Sequence, residues 1–224
     1  EIHLQRYSNT APQISPFTVN GLEEAVIVLE AQLFIDSFSD AEGQNLAAIR
    51  VTTLPAEGVL KLDGVAVTPG QEISLADLQA GKLSYQGELN YFGLDQFAWT
   101  GSDGVAYAPT PVFSIINLAN VNDAPALQAG ADDTAAEGTW FSHALTLGDP
   151  DPDTHLITVD WGDGSPPSQY STSAAVYNIS HYFPDNGTYT VTVTANDQAG
   201  QANSVETDSF EVVVSNVANS WSAA

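Results

Sequence analysis

Apolar and polar residues alternate with period two along most of this chain, and clusters of Gly, Pro, Asn and Asp interrupt the alternation at short intervals. Such a period belongs to half-buried strands, whose successive side chains point to opposite faces of a sheet. In the first half it predicts strands over 25–34, 46–53, 59–62, 82–86, 96–100 and 107–118. In the second half it predicts strands over 139–147, 156–161, 177–182, 188–194 and 205–214. Asp63-Gly64, flanked by Leu62 and Val65, is a two-residue hairpin signal. Leu75–Gln79 reads as one helical turn capped by Ser74. No stretch keeps a helical period for three turns, so the fold class is all-β. Short strands separated by regular turns predict two tandem immunoglobulin-like or cadherin-like β-sandwiches.

The joints between the units are visible as a repeated motif. Val121-Asn122-Asp123-Ala124-Pro125 lies mid-chain, Ser8-Asn9-Thr10-Ala11-Pro12 near the start and Ser215-Asn216-Val217-Ala218-Asn219 near the end. The copies fall roughly one domain length apart. Proline cannot extend a ladder and biases the residue before it toward extended geometry, which suits a linker. The predicted organisation is an end strand and linker over 1–12, a sandwich over 13–121, a linker over 122–126, a second sandwich over 127–217, and the next linker or tail over 218–224. Residues 1–7 read as the last strand of a preceding unit, expected to fray or to pair with the edge of another molecule. With no methionine anywhere, the chain is expected to be a segment of a longer protein.

Composition adds a strong sign. There are 28 acidic residues against 4 basic ones, for a net charge of −24. A nucleic-acid backbone is repelled by such a surface. With 43% hydrophobic residues the chain is not disordered, so divalent cations are the natural counter-charge, with mere solubility as the plainer explanation. Cysteine is absent, which excludes disulfides and zinc–thiolate staples. No apolar run approaches the ~20 residues needed to cross a bilayer, so membrane insertion is not expected.

Topology suggests where the acids gather. In an immunoglobulin-like sandwich the B–C and F–G loops lie at the end where the chain enters. Three segments therefore converge on each joint. For the second unit they are Asn122 and Asp123 of the linker, the loop acids Asp149, Asp151 and Asp153, and Asp197, with Glu137 placed at the same apex. For the first unit they are Asn9, the pair Glu23 and Glu24, the loop acids Asp36, Asp40 and Glu42, and Asp103. So many carboxylates repel one another unless a cation intervenes, and Ca²⁺ takes about six to eight oxygens. An EF-hand is excluded, because Thr154 or His155 stands where its glycine belongs and no bidentate Glu follows. Thr10 replaces Asp123 in the first linker, so the middle joint is expected to be the better calcium site.

Two family resemblances rest on longer patterns. Leu22-Glu23-Glu24, Asp40-Ala41-Glu42-Gly43, Tyr91-Phe92-Gly93-Leu94-Asp95-Gln96-Phe97 and Ser102-Asp103-Gly104, closing in Val121–Pro125, resemble bacterial cadherin-like adhesin repeats over about 21–125. That resemblance implies calcium on Asp40, Glu42, Asp103 and Asp123. Val159-Asp160-Trp161-Gly162-Asp163-Gly164-Ser165, then His181-Tyr182-Phe183, Gly187-Thr188-Tyr189-Thr190-Val191 and Asp197, resemble a PKD (polycystic kidney disease) domain over about 126–217. In that motif Trp161 fills the core, Gly162-Asp163-Gly164 turns the chain, Tyr189 latches a corner and His181 is a hydrogen-bonded structural residue.

Catalytic signatures are missing. No Gly-x-Ser-x-Gly motif occurs, the four histidines His3, His143, His155 and His181 have no zinc spacing, and Gly162-Asp163-Gly164-Ser165 lacks the lysine of a phosphate loop. The chain is therefore expected not to be an enzyme. The first reading is a monomeric, calcium-stiffened extender of a large bacterial extracellular adhesin or surface protein, whose partners are neighbouring domains of its own chain. The alternative is a carbohydrate- or protein-binding accessory module of a secreted hydrolase, recognising a glycan or a host surface through exposed tryptophans among Trp99, Trp140 and Trp221, with Trp99 expected to be buried.

Overall fold

Nearly every predicted strand is present in the computed structural model, which describes residues 8–197, 200 and 204–217. The chain is all-β and divides after Val121 into two units. The end strand over 1–7, the tail over 218–224 and Trp221 lie outside the described residues.

In the first unit one sheet runs in the order Thr18–Leu22, Val112–Ala119, Gly93–Ser102, Ala48–Thr53, Glu72–Ser74. Facing it are Val26–Val28, Leu83–Gly87, Gly58–Leu62 and Val65–Ala66. Thr18–Leu22 pairs parallel with Val112–Ala119, and the other pairs in these two sheets are antiparallel. Alternation fills the space between them with Leu29, Phe34, Leu60, Tyr85, Phe97 and Trp99, none more than 1% exposed. Phe34 meets Trp99 edge-on at 5.0 Å, and the indole Nε1 donates to Ser114 Oγ at 2.9 Å, so the buried N–H is satisfied. Asp63 and Gly64 both have positive φ, 51° and 79°, as the predicted two-residue hairpin requires. Ser74 accepts the Asp77 N–H and caps Leu75–Gln79.

Two predicted strands are corrected: the run 107–118 is a strand only over Val112–Ala119, because Pro109 and Pro111 cannot extend a ladder. The run 25–34 is extended only over Val26–Val28, and Ala31–Asp36 is a helix. Leu, Ala and Gln are good helix formers, and Ala31 and Phe34, three apart, bury the same face.

The second unit pairs a three-stranded sheet, Ala126–Gln128, Trp140–Gly148, Val176–Tyr182, with a five-stranded one, Asp133–Ala136, Val205–Ser215, Gly187–Asn196, His155–Asp160, Ser168–Thr172. The short polar strands Ala126–Gln128, Asp133–Ala136 and Ser168–Thr172 carry little alternation, so the sequence pattern does not reveal them. Trp161 is fully buried, stacked on His181 (4.4 Å, 9°) and edge-on to Phe183, with Nε1 donating to Ser168 Oγ. His181 Nε2 lies 2.8 Å from Asp163 Oδ2 in the turn. Burial pushes the Asp163 carboxyl up, but hydrogen bonds from Ser165 and His181 outweigh it and hold the group below its usual range. Gly162 has φ 72°, and a Cβ there would meet Thr190 O at 2.5 Å, so no other residue fits. The Tyr189 hydroxyl donates to Asp185 O at 3.1 Å, the expected corner latch.

Candidate functional site

Each linker is held by a hydrogen-bonded clamp built from its own unit. In the second unit Asn122 Nδ2 donates to Asp197 Oδ2 and to Asp123 O, both at 2.9 Å. The next backbone N–H, that of Asp123, donates to Asp151 Oδ2 at 2.7 Å. Asp151 N donates to Asp149 Oδ1 at 2.9 Å, and Asp149 Oδ2 lies 2.8 Å from His155 Nε2. Asp151, His155 and Asp197 are all at least 95% buried. Carboxylates at such depth persist only with donors around them, and here the linker supplies two. Pro150 and Pro152 restrict this loop to few conformations, which keeps its carboxylates facing the linker.

The first unit repeats the arrangement with different residues. Asn9 Nδ2 donates to Asp103 Oδ2 at 2.9 Å and to Thr10 O at 3.3 Å. Thr10 N donates to Glu42 Oε2 at 3.3 Å, and the Thr10 hydroxyl adds a bond to Glu42 Oε1 at 2.7 Å. Glu42 N and Gln44 N both donate to Asp40 Oδ1. Asp103 Oδ1 also accepts the N–H groups of Val105 and Ala106. These donors, Ala106 first and then Asn9, hold the Asp103 carboxyl below its usual range. Thr10, expected to weaken this joint, thus supplies a donor that Asp123 lacks.

The depressed Asp103 gives a pH prediction. A carboxyl whose folded pKa is lowered stabilises the fold above its unfolded value, about 3.9, and loses that contribution as pH falls through the folded value. The stability difference between wild type and Asp103→Asn, read from urea midpoints, should be constant above about pH 5 and shrink as pH falls through the lowered folded value. A difference independent of pH would show that the ionised clamp contributes nothing. Comparing with the variant cancels the relief of general repulsion among the other acids.

Several predicted ligands stand elsewhere. Glu137 is not at the apex with Asp151: its N–H donates to Ser215 O and its Oε1 accepts the Val217 N–H at 3.0 Å, where the chain leaves the unit. Glu23 is its counterpart, with N–H on Ala119 O and Oε1 accepting Val121 N–H at 2.7 Å. The reason is topological. Thr18–Leu22 and Asp133–Ala136 run parallel to the last strand of their units, so an acid that follows them emerges at the exit end, a sheet length from the entry loops. Glu24 is exposed in a turn at φ 61°. Asp36 ends the helix Ala31–Asp36 and accepts Gln32 Nε2 at 2.6 Å. Asp153 contributes its backbone N–H, to Asp151 O.

The same exit contacts correct the register of the third joint. Val121 and Val217 both donate to a glutamate Oε1, and Ala119 and Ser215 both accept its N–H. The counterpart of Asp123 is therefore residue 219, not Val217, and it lies outside the described residues.

The side chains that sequence reasoning passed over are His155, set aside with the EF-hand, and Asp95. Among the described residues no three His, Asp or Glu side chains are gathered as a bound metal would gather them. The acids converge instead on N–H donors. Two carboxylate oxygens, Asp40 Oδ2 and Glu23 Oε2, are buried without a hydrogen-bond partner.

Residues 122–213 match the family model of the PKD domain, and a PKD domain is found there. No curated protein matches the chain. Among solved structures, the PKD domain of an M14-like peptidase from Thermoplasmatales archaeon SCGC AB-540-F20 is 24% identical at TM-score 0.33, covering 42% of this chain and 98% of that one. An endo-fucoidan hydrolase of glycoside hydrolase family 107 is 17% identical at TM-score 0.35, over 93% of this chain and 29% of that one. The chicken CNTN1 FN1–FN3 domains are 8% identical at TM-score 0.36, over 92% and 66%.

Proposed function

We propose that this chain, whose residues 122–213 are a PKD domain, is a non-catalytic, calcium-stiffened extender segment of a large extracellular adhesin or surface protein, its first unit a cadherin-like repeat. The observation that carries the reading is the clamp, present in both units with the same logic: a linker asparagine on an F–G aspartate at 2.9 Å, and the following N–H on a B–C acid. A linker pinned through side chain and backbone transmits load from one sandwich to the next along the chain. No helix of the described residues is long and apolar enough to cross a membrane.

The first unit offers calcium a donor set with one bare oxygen. Asp40 Oδ2 is a buried carboxylate oxygen with no partner, on the side chain that organises Glu42. A bare buried carboxylate oxygen costs free energy unless a cation or donor meets it. Asp40, Glu42, Asp103 and the amide oxygen of Asn9 would hold the ion there. In the second unit the corresponding set is Asp123, Asp149, Asp151, Asp153, Asp197 and Asn122, and there Asp149, like Glu42 and Asp103 in the first unit, has a donor on each oxygen that an ion would displace. Bound Ca²⁺ supplies positive charge that lets these carboxylates approach one another.

A calcium titration of the 224-residue chain tests this. Saturating calcium is expected to raise the melting temperature by several degrees, since a ligand at a hundred times its Kd adds about 2.7 kcal/mol. Asp40→Asn should weaken binding about tenfold or more, and small-angle scattering profiles should differ between calcium and chelator. Identical melting and scattering in the two conditions would refute the ion, though not the hydrogen-bonded clamp.

A further inference from the structure

The three-stranded sheet of the PKD domain has one face on the core and the other bare. Phe141, Leu145, Leu147 and Ile179 are buried, while Ser142, Thr146, Asn178 and Ser180, one position away, are exposed. At the outward positions of Ala126–Gln128, Trp140–Gly148 and Val176–Tyr182 there is no Asp, Glu, Lys or Arg. On a soluble domain about a quarter to a third of surface residues are charged, and this chain carries −24. This sheet face therefore carries none of the charge that the chain has in excess elsewhere.

At one end of that face stand two rings. Trp140 lies directly opposite Tyr182 in the strand register, with centroids 6.0 Å apart and planes at 64°. Trp140 is 76% exposed and Tyr182 43%, although an indole gains more than almost any side chain from leaving water. Their inclination makes a corner rather than a shelf: the indole offers a face, and the phenol a wall with a hydroxyl. Among the described residues that hydroxyl has no hydrogen-bond partner. Behind the corner, Ser142 pairs with Ser180 and Ala144 with Asn178, so hydroxyl and amide groups continue along the sheet.

We propose that this face binds a neutral polysaccharide, with one pyranose ring stacked on Trp140 against Tyr182 and the following units lying over Ser142, Ser180 and Asn178. A sugar ring presents C–H groups that match the electron-rich indole face, and hydroxyls that exchange hydrogen bonds with the polar rows. Charge selects the partner. An anionic glycan or a second copy of this chain meets the repulsion of the net −24, and a cationic protein is drawn to the acids elsewhere. A neutral chain incurs neither. The proposal does not depend on calcium, so chelator should leave binding unchanged while abolishing the effects expected of the ion.

Incubating the 224-residue chain with insoluble cellulose and with chitin, and measuring the protein left in solution, tests the site. Retention on at least one of the two is expected, with none on alginate beads. Trp140→Ala should lower the affinity about tenfold or more, close to 1.4 kcal/mol. Tyr182→Ala should lower it several-fold, and Val213→Ala, an exposed change on the other sheet, should have no effect. Because Trp140 is exposed, an unchanged melting temperature will show that the variant folds. No retention on either neutral polysaccharide, equal retention of Trp140→Ala, or a dimer in sedimentation that Trp140→Ala abolishes, would each overturn the proposal.

Discussion

Replacing Trp161 by alanine is expected to remove about 3–5 kcal/mol from the stability of the PKD domain. The indole is fully buried, and three neighbours depend on it: His181 stacks on its face, Phe183 meets its edge and Ser168 accepts its N–H. Alanine leaves a cavity that rigid strands on both sides cannot close, and it exposes His181 without its stacking partner. Since domains of this size are stable by only about 5–15 kcal/mol, such a loss is a large fraction of the total. The readout is hydrogen exchange at Val191 and Val193, in the central strand of the five-stranded sheet, whose amides open only with the whole core. Protection there should fall by two to four orders of magnitude, about 1.4 kcal/mol each. Trp161→Phe should keep more than half of it, because a ring still stacks on His181. A loss under about 1 kcal/mol for alanine would mean that the stack is not what holds the two sheets together.

That residue was legible in advance, and the reason is physical. Trp161 sits in a local motif whose turn glycines, His181 and Asp163 form a closed set of contacts, so the sequence carries the whole constellation. Strand positions were legible for a similar cause: the period of two is imposed on each strand by its own pleat and needs no knowledge of the partner. The segment 31–36 escaped because its apolar run fits two periods, and only burial of Ala31 and Phe34 together selects the helix.

The clamps were half legible. Convergence of linker, B–C loop and F–G loop follows from sandwich topology, and Asn122, Asp123, Asp151 and Asp197 do meet, as do Asn9, Glu42 and Asp103. What meets them was not legible, because a carboxylate near a joint serves equally as an ion ligand or as an acceptor for backbone N–H groups. Glu23 and Glu137 were misplaced because the sequence does not say which way their strand runs. A strand parallel to the last one delivers its acid to the exit, and an antiparallel one would have delivered it to the entry.

Asp95→Asn in the first unit is expected to cost about as much as Asp95→Ala, about 3–5 kcal/mol. Asp95 stands in the strand Gly93–Ser102 at 4% exposure, where its pattern calls for an apolar side chain. Each of its oxygens takes two donors. Oδ1 accepts Ala56 N at 3.0 Å and Gln96 N at 2.8 Å, and Oδ2 accepts Glu57 N at 3.1 Å and the Tyr85 hydroxyl at 2.8 Å. Only an ionised carboxylate accepts on both oxygens, so asparagine, nearly the same shape, must aim its NH₂ at two of the four donors. A buried donor left unpaired costs about 1–3 kcal/mol, and a donor facing a donor costs no less. Tyr85, fully buried, has its phenol pushed up by burial and then by the Asp95 bond, so it remains a donor at any ordinary pH. Tyr85→Phe removes one donor and leaves three, and its cost should stay near 1–2 kcal/mol. Exchange protection of Phe97 and Ile116, both core residues of this unit, measures all three variants. If Asp95→Asn proved as mild as Tyr85→Phe, the carboxylate would not be what ties the corner at Ala56 and Glu57 to the sheet. If it matched Asp95→Ala, the acid in the run Tyr91–Phe97 would owe its place to folding rather than to any bound ion.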